Sequence, residues 1–176
     1  MRRVAPLALT AALLAGCGGS GEKVVAHVGG REITADELNS VVEHFREEAK
    51  REGRQFPDDG TVAFRRLRNR LLGLLVYRAE LKQAAHRLGI RVTEEQISAR
   101  LPAGAEAEED ANDDSARDSV ETQLLYEAIF RKVTQHVKAR AGPERATRRA
   151  EAMARFLARL KRQAPVRYEP GYAPSS

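Results

Sequence analysis

The chain has 176 residues, 31% of them charged, a formal net charge of +5, no tryptophan and one cysteine. This length allows one domain, or one domain with an appendage. The composition is rich in Ala, Arg, Glu and Leu, which favours an open, largely helical fold over the thick core of an enzyme. A single cysteine excludes an internal disulfide, so packing alone must hold the fold.

The N-terminus has the pattern of an export signal. Arg2 and Arg3 precede an apolar stretch of about 11 residues, which is too short for a membrane span of roughly 20. The stretch ends in four residues that resemble a bacterial lipobox, in which the cysteine thiol is lipidated and the preceding peptide bond is cleaved: Leu14, Ala15, Gly16 and Cys17. The alternative is a cysteine that lies near a signal peptide by chance.

We therefore predict a signal peptide over residues 1–16 and a lipidated linker over residues 17–23. Acyl chains on Cys17 would anchor the protein to the outer face of the bacterial cell membrane, because two chains suffice for stable attachment. A basic chain could bind nucleic acid, but export argues against that partner. The positive charge agrees better with attraction to an anionic membrane than with nucleic-acid binding. It is also explained if Arg simply occupies the solvated faces of the helices.

A β-hairpin and a helix are predicted next. Two β-prone runs, 24–28 and 31–33, are joined by a Gly-Gly dipeptide, which is a hairpin signal. Thr34 with Glu37 three residues later matches the capping box, so a helix should start there and end near Gly53.

The longest predicted helix covers residues 61–87, where apolar residues recur at spacings of three and four. Gly89 is a suitable C-terminal cap. A second capping box at Thr93 and Gln96 predicts a short helix that runs through Leu101.

Residues 102–115 carry six carboxylates and no large apolar residue, which predicts a mobile acidic loop. Calcium binding is an alternative, but the spacing lacks the pattern of a calcium loop. We therefore predict no metal site.

The C-terminal third is predicted to contain two helices and a short strand. A helix over residues 116–140 ends before the Gly142-Pro143 break, and another continues to about Arg162. Residues 166–168 form a short strand that pairs with the N-terminal hairpin, and residues 169–176 form a flexible tail. The predicted fold is mainly α, with about four to five long amphipathic helices and a small sheet.

No catalytic constellation stands out. The four histidines lack metal-ligand spacing, the Gly-Gly dipeptide lacks the rest of a phosphate loop, and no serine lies in a nucleophile-elbow motif. We predict a protein that is not an enzyme and needs no cofactor.

The order of these parts resembles the chaperone domain of SurA-like and PrsA-like exported folding factors. The resemblance depends on the Gly-Gly hairpin turn, on the segment Leu-Gly-Ile-x-Val-Thr-x-x-x-Ile from Leu88 to Ile97, and on residues 123–137 and 166–172. It covers most of residues 24–168. Many members carry a parvulin prolyl isomerase domain after the helix that ends near Val137, but here the Gly-Pro break and the last helix follow within a few residues.

The resemblance implies non-enzymatic chaperoning. Together with the lipobox it predicts a membrane-anchored extracytoplasmic chaperone of the holdase type, which binds unfolded exported polypeptides without isomerase activity. The alternative is an adaptor lipoprotein that binds one envelope partner through the acidic loop or the basic last helix, and a prolyl isomerase is the third reading. We predict that six residues line the client groove, although each could be ordinary core: Phe64, Leu67, Leu71, Phe130, Val133 and Phe156.

Overall fold

The structure is a computed structural model that describes residues 22–101, 111–138 and 141–173, without the side chains of residues 111–114. The predicted signal peptide, Cys17 and most of the linker lie outside the described residues. Strands and helices follow in the order β1 (Val24–Val28), β2 (Arg31–Thr34), α1 (Ala35–Arg51), α2 (Val62–Leu88), α3 (Glu94–Ser98), α4 (Ala111–Thr134), α5 (Pro143–Gln163) and β3 (Val166–Tyr168). The prediction of a mainly helical fold is confirmed.

The three described strands form one antiparallel sheet in the order β2-β1-β3. The hairpin β1–β2 pairs Val28 with Arg31, and β3 pairs its Val166 with the same Val28 on the other edge of β1. The C-terminal strand therefore closes the sheet beside the N-terminal strand, as the sequence predicts.

Local capping signals fix several of the helix ends. The Thr34 side chain accepts a hydrogen bond from the Glu37 amide, and the Glu37 carboxylate accepts one from the Thr34 amide, which completes the predicted capping box. Thr93 and Gln96 form a second reciprocal pair at the start of α3. Gly89 ends α2 in the left-handed conformation with a φ of 66°.

Helix α2 contributes to two separate apolar clusters. The first half of the helix packs Leu71, Leu72 and Leu75 against the sheet and α1. The second half packs Leu81, Ala84 and Ala85 against α4 and α5. Twenty-seven residues at 1.5 Å each make a rod of about 40 Å, which is long enough to serve both clusters.

The predicted boundaries of the acidic loop and of α4 need correction. Helix α4 begins at Ala111 rather than at 116, so residues 111–115 are helical, and residues 102–110 lie outside the described part of the chain. Repulsion among carboxylates suggested a loop, but acidic residues in a first helical turn interact favourably with the helix dipole.

Helix α4 also ends earlier than predicted, at Thr134 instead of residue 140. The Thr134 hydroxyl donates to the Phe130 carbonyl at 2.7 Å, and Arg149 of α5 donates to the same hydroxyl oxygen at 2.9 Å. Such side-chain bonds compete with the backbone ladder, and this one ties the end of α4 to α5.

Part of the predicted flexible tail is attached to α2. Arg68 donates to the Gly171 carbonyl at 2.7 Å, and Asn69 donates to the Ala173 carbonyl at 2.8 Å. The centre of the Tyr172 ring lies 4.3 Å from the Arg68 guanidinium and 5.6 Å from the Lys23 ammonium. Helix α2 therefore supplies donors for two carbonyls of this segment, and the flexibility of the tail stays a prediction.

Gly29 lies where the hairpin turn meets α2. Its φ is +59°, and a Cβ there would lie 2.8 Å from the Gln83 Oε1 atom. Gln83 donates to the Val28 carbonyl at 2.5 Å, so this contact fixes the turn on the helix.

The variant Gly29→Ala should lower the free energy of unfolding by about 1–2 kcal/mol, because alanine is strained in the left-handed region and displaces Gln83. Gly30→Ala is the matched control, since Gly30 lacks a positive φ and a Cβ there meets nothing within 4 Å. Urea unfolding of both variants measures the difference. Equal losses at the two glycines would contradict this account of the turn.

Glu80 is a buried acid on α2, with only 5% of its surface exposed. Burial raises the pKa of its carboxyl above the ordinary value, and the positive charge of Lys161 opposes part of that rise. The folded state therefore binds this proton more tightly than the unfolded chain. The contribution of Glu80 to stability is present below its ordinary pKa and is lost as the pH rises through the raised one.

The variant Glu80→Gln should be more stable than the parent at pH 7 and similar to it at pH 4, because glutamine carries no buried charge at either pH. Urea unfolding at the two pH values measures the change. The exposed Glu151→Gln serves as the control and should show no such pH-dependent gain. A loss of stability for Glu80→Gln at pH 7 would show that the charged carboxylate is favourable in its site.

Candidate functional site

An open cleft of about 1070 Å³ lies between α1, α2 and α4. Helices α1 and α4 form its walls, and the middle of α2 forms its floor. Its volume lies just above the usual range for ligand pockets, which is about 300–1,000 Å³, and the cleft is open to solvent. The lining contains six apolar or aromatic residues: Val41, Phe45, Leu74, Leu75, Tyr77 and Tyr126.

Two of these residues are exposed although they are large and apolar. Leu74 is 50% exposed on the floor, and Tyr126 is 37% exposed on the α4 wall. Leu71 and Leu75 occupy the stripe of α2 that faces the first cluster, and Leu74 lies beside this stripe, where no other side chain covers it completely. Uncovered apolar surface within a cleft is typical of a binding site.

Small polar side chains line much of both walls, and they leave the cleft wide. They are Asn39 and Ser40 on α1 and Ser115, Ser119 and Thr122 on α4. The Ser40 hydroxyl donates to the Asp36 carbonyl at 3.0 Å, and the Thr122 hydroxyl donates to the Asp118 carbonyl at 2.6 Å. Each hydroxyl oxygen keeps capacity to accept a hydrogen bond from a bound molecule.

An ion pair between Arg78 and Asp118 joins the floor to the α4 wall. Beside it, burial raises the pKa of the Tyr77 hydroxyl, and the nearby Tyr126 and Glu80 raise it further. Tyr77 is therefore neutral at physiological pH, and its hydroxyl is available as a hydrogen-bond donor. The cleft combines an apolar floor with hydrogen-bonding walls, which suits noncovalent binding of a chain that has both kinds of group.

The structure divides the six predicted groove residues between the two clusters. Phe64, Leu67 and Leu71 belong to or pack against the first cluster. Phe130, Val133 and Phe156 pack against the second one. None of the six lines the cleft, so the candidate binding surface lies elsewhere than the sequence predicts.

The exposed floor and wall residues are the ones that sequence reasoning missed. Leu74 is an apolar residue in the periodic pattern of α2, and nothing in that pattern says which helix face a neighbour covers. A usable signal is the width of the apolar surface: at 100° per residue, Leu71, Leu72, Leu74, Leu75 and Val76 together cover about 200° of the helix, twice the width of one stripe. Excess apolar width on a helix with one buried face indicates either a second packing partner or a binding surface.

The residues that the structure describes hold neither a metal-binding cluster nor a helix that could span a membrane. Among them, His, Cys, Asp and Glu form no group of three or more that could hold a metal ion. Within the same residues, no helix combines the length and the apolar character that a membrane span requires. The proposed lipid site, Cys17 with Leu14, Ala15 and Gly16, lies outside them and stays a prediction.

Comparison with known protein families relates this chain to a described family. The family model for the SurA-like N-terminal domain matches residues 4–106. This range contains the hairpin, α1, α2 and α3, and therefore one wall and the floor of the cleft. The search of curated proteins finds no match to the chain.

Proposed function

We propose that this chain, which belongs to the SurA-like N-terminal domain family, is a holdase-type chaperone that binds unfolded exported polypeptides in the cleft between α1, α2 and α4. The family membership is consistent with a chaperone-type role, and no isomerase domain is detected in the chain. The proposal therefore assigns binding without catalysis to the cleft.

The observation that carries the proposal is the exposed apolar surface of Leu74 and Tyr126 between polar walls. An unfolded polypeptide presents apolar side chains together with backbone amides and carbonyls. The floor would contact its side chains, while wall hydroxyls and amides would bond its backbone. Contacts of this kind depend little on sequence, as a chaperone for many clients requires.

The dimensions of the cleft fit an extended segment. Its α1 wall runs from Asp36 to Glu47, and its α4 wall runs from Ser115 to Tyr126, so each spans about 17 Å at 1.5 Å per residue. An extended chain advances about 3.3 Å per residue, so about five residues fill this length.

Anchoring at Cys17 would hold the cleft close to the membrane. The Ala35 amide donates to the Lys23 carbonyl at 2.7 Å, so the linker enters the fold beside the start of α1. Asp36 and Glu37 line the cleft at this point. From Cys17 to Lys23 the chain extends at most about 20 Å, and this tether would raise the local concentration of emerging clients around the cleft.

The double variant Leu74→Ser/Tyr126→Ser tests client binding. Each change removes exposed apolar contact area worth on the order of 1 kcal/mol, so about thirty times more of the double variant should be needed to halve the aggregation of denatured clients. Light scattering of several unrelated clients measures this in mature chains that carry Cys17→Ser and therefore no lipid.

Val62→Ser is the matched control, because Val62 is 54% exposed on α2 but does not line the cleft. It should suppress aggregation like the parent. Thermal unfolding of each variant confirms that the fold is kept. Full suppression by the double variant would mean that clients bind elsewhere, and no suppression by the folded parent would overturn the chaperone proposal.

The variant Cys17→Ser tests the anchor separately. When the full chain is expressed in bacteria, the parent should partition into the detergent phase and the variant into the aqueous phase, because only the parent carries acyl chains. Ser20→Ala, three residues further along the linker, should behave like the parent. Aqueous partitioning of the parent would contradict lipidation at Cys17.

A further inference from the structure

We infer that the cleft prefers polypeptide segments in which a short apolar core is flanked by Lys or Arg. This inference rests on the proposed function and specifies the chemical class of client. It comes from the charge of the cleft lining, which is opposite in sign to the charge of the whole chain.

The lining contains five carboxylates and one guanidinium, a formal charge of −4 with His44 neutral. The whole chain carries a formal charge of +5. The cleft is therefore an acidic region on a basic protein. The positive charge of the whole chain attracts an acidic segment, but the negative charge of the cleft repels it. A basic segment is attracted only at short distance from the cleft carboxylates.

Ion pairs within the protein neutralise only some of these carboxylates. Glu37 pairs with Arg31 at 2.5 Å, Glu43 pairs with Arg46 at 3.2 Å, and Asp118 pairs with Arg78. Across the described residues no ion pair involves the other two, Asp36 and Glu47. Both are exposed at the surface of α1.

The positions of these two carboxylates match the length of the proposed segment. Asp36 lies in the first turn of α1, and Glu47 follows about 17 Å further along the helix axis. Five extended residues over Leu74 and Tyr126 would leave their flanking residues near the two carboxylates. A cation before the apolar core and another after it would each meet one of them.

Solvent limits the strength of such contacts. Exposed ion pairs each contribute a few tenths of a kcal/mol to about 1 kcal/mol, and salt weakens them. The carboxylates would therefore select among segments, while the apolar floor would supply most of the affinity. Unfolded chains with many apolar stretches would differ in affinity according to the charges at the borders of each stretch.

Three peptides with one apolar core test the inference. The core Phe-Leu-Val-Leu-Phe is flanked on each side by two Lys, two Gln or two Glu residues, and fluorescence anisotropy measures binding to the Cys17→Ser mature chain. At low ionic strength the Lys peptide should bind roughly three- to tenfold more tightly than the Glu peptide. The difference should shrink in 0.5 M salt, where the Debye length is only about 4 Å.

Two double variants locate the effect. Asp36→Asn/Glu47→Gln should remove most of the preference for Lys over Glu and leave the affinity for the Gln peptide within about twofold. Glu144→Gln/Glu151→Gln, on α5 and outside the cleft, changes the net charge equally and should keep the preference.

The outcomes separate the inference from the proposed function. Equal binding of the three peptides, or tighter binding of the Glu peptide, would overturn the charge preference and leave client binding intact. Loss of the preference in the α5 variant would assign it to net charge and would also overturn the inference. Failure of all three peptides to bind, with no suppression of aggregation, would overturn the proposed function itself.

Discussion

The burial of one helix in two apolar clusters is the constraint on which the rest of the structure depends. Helix α2 gives one set of side chains to the sheet and α1, and a second set to α4 and α5. A fully buried leucine contributes roughly 1.5–3 kcal/mol, so Leu72 and Leu81, one in each cluster, both hold the helix in place. Because the clusters share a single rigid element, α1 and α4 are held at fixed positions beside it.

The cleft is a consequence of this arrangement. Helices α1 and α4 both flank the middle of α2, and the small side chains that face the cleft leave the space above its floor unfilled. Leu74 is half exposed, so its side chain contributes less to the stability of the fold than the buried leucines of α2 do, and Tyr126 keeps part of its ring exposed while it stacks on Phe130. The exposed parts of both side chains are free to contact other chains.

The sequence predicts the parts that local chemistry decides. The capping boxes at Thr34 and Thr93 and the glycine end of α2 require only neighbouring residues, and all three are confirmed. The predicted start of α4 is wrong because the prediction considered the repulsion among the carboxylates and left out their favourable interaction with the helix dipole. The cleft could not be predicted, because Phe64 and Leu74 lie in the same periodic pattern and only the tertiary packing covers one and exposes the other.

A cleft of this kind suits reversible binding better than tight binding. About five residues of extended chain offer few contacts, and ordering both the segment and the exposed side chains costs conformational entropy. A tether can compensate for weak affinity, because a short flexible linker gives effective concentrations in the millimolar range. Under the proposed function, an anchored holdase would engage emerging chains often and still release each of them, and Asp36 and Glu47 of α1 would decide which segments stay longer.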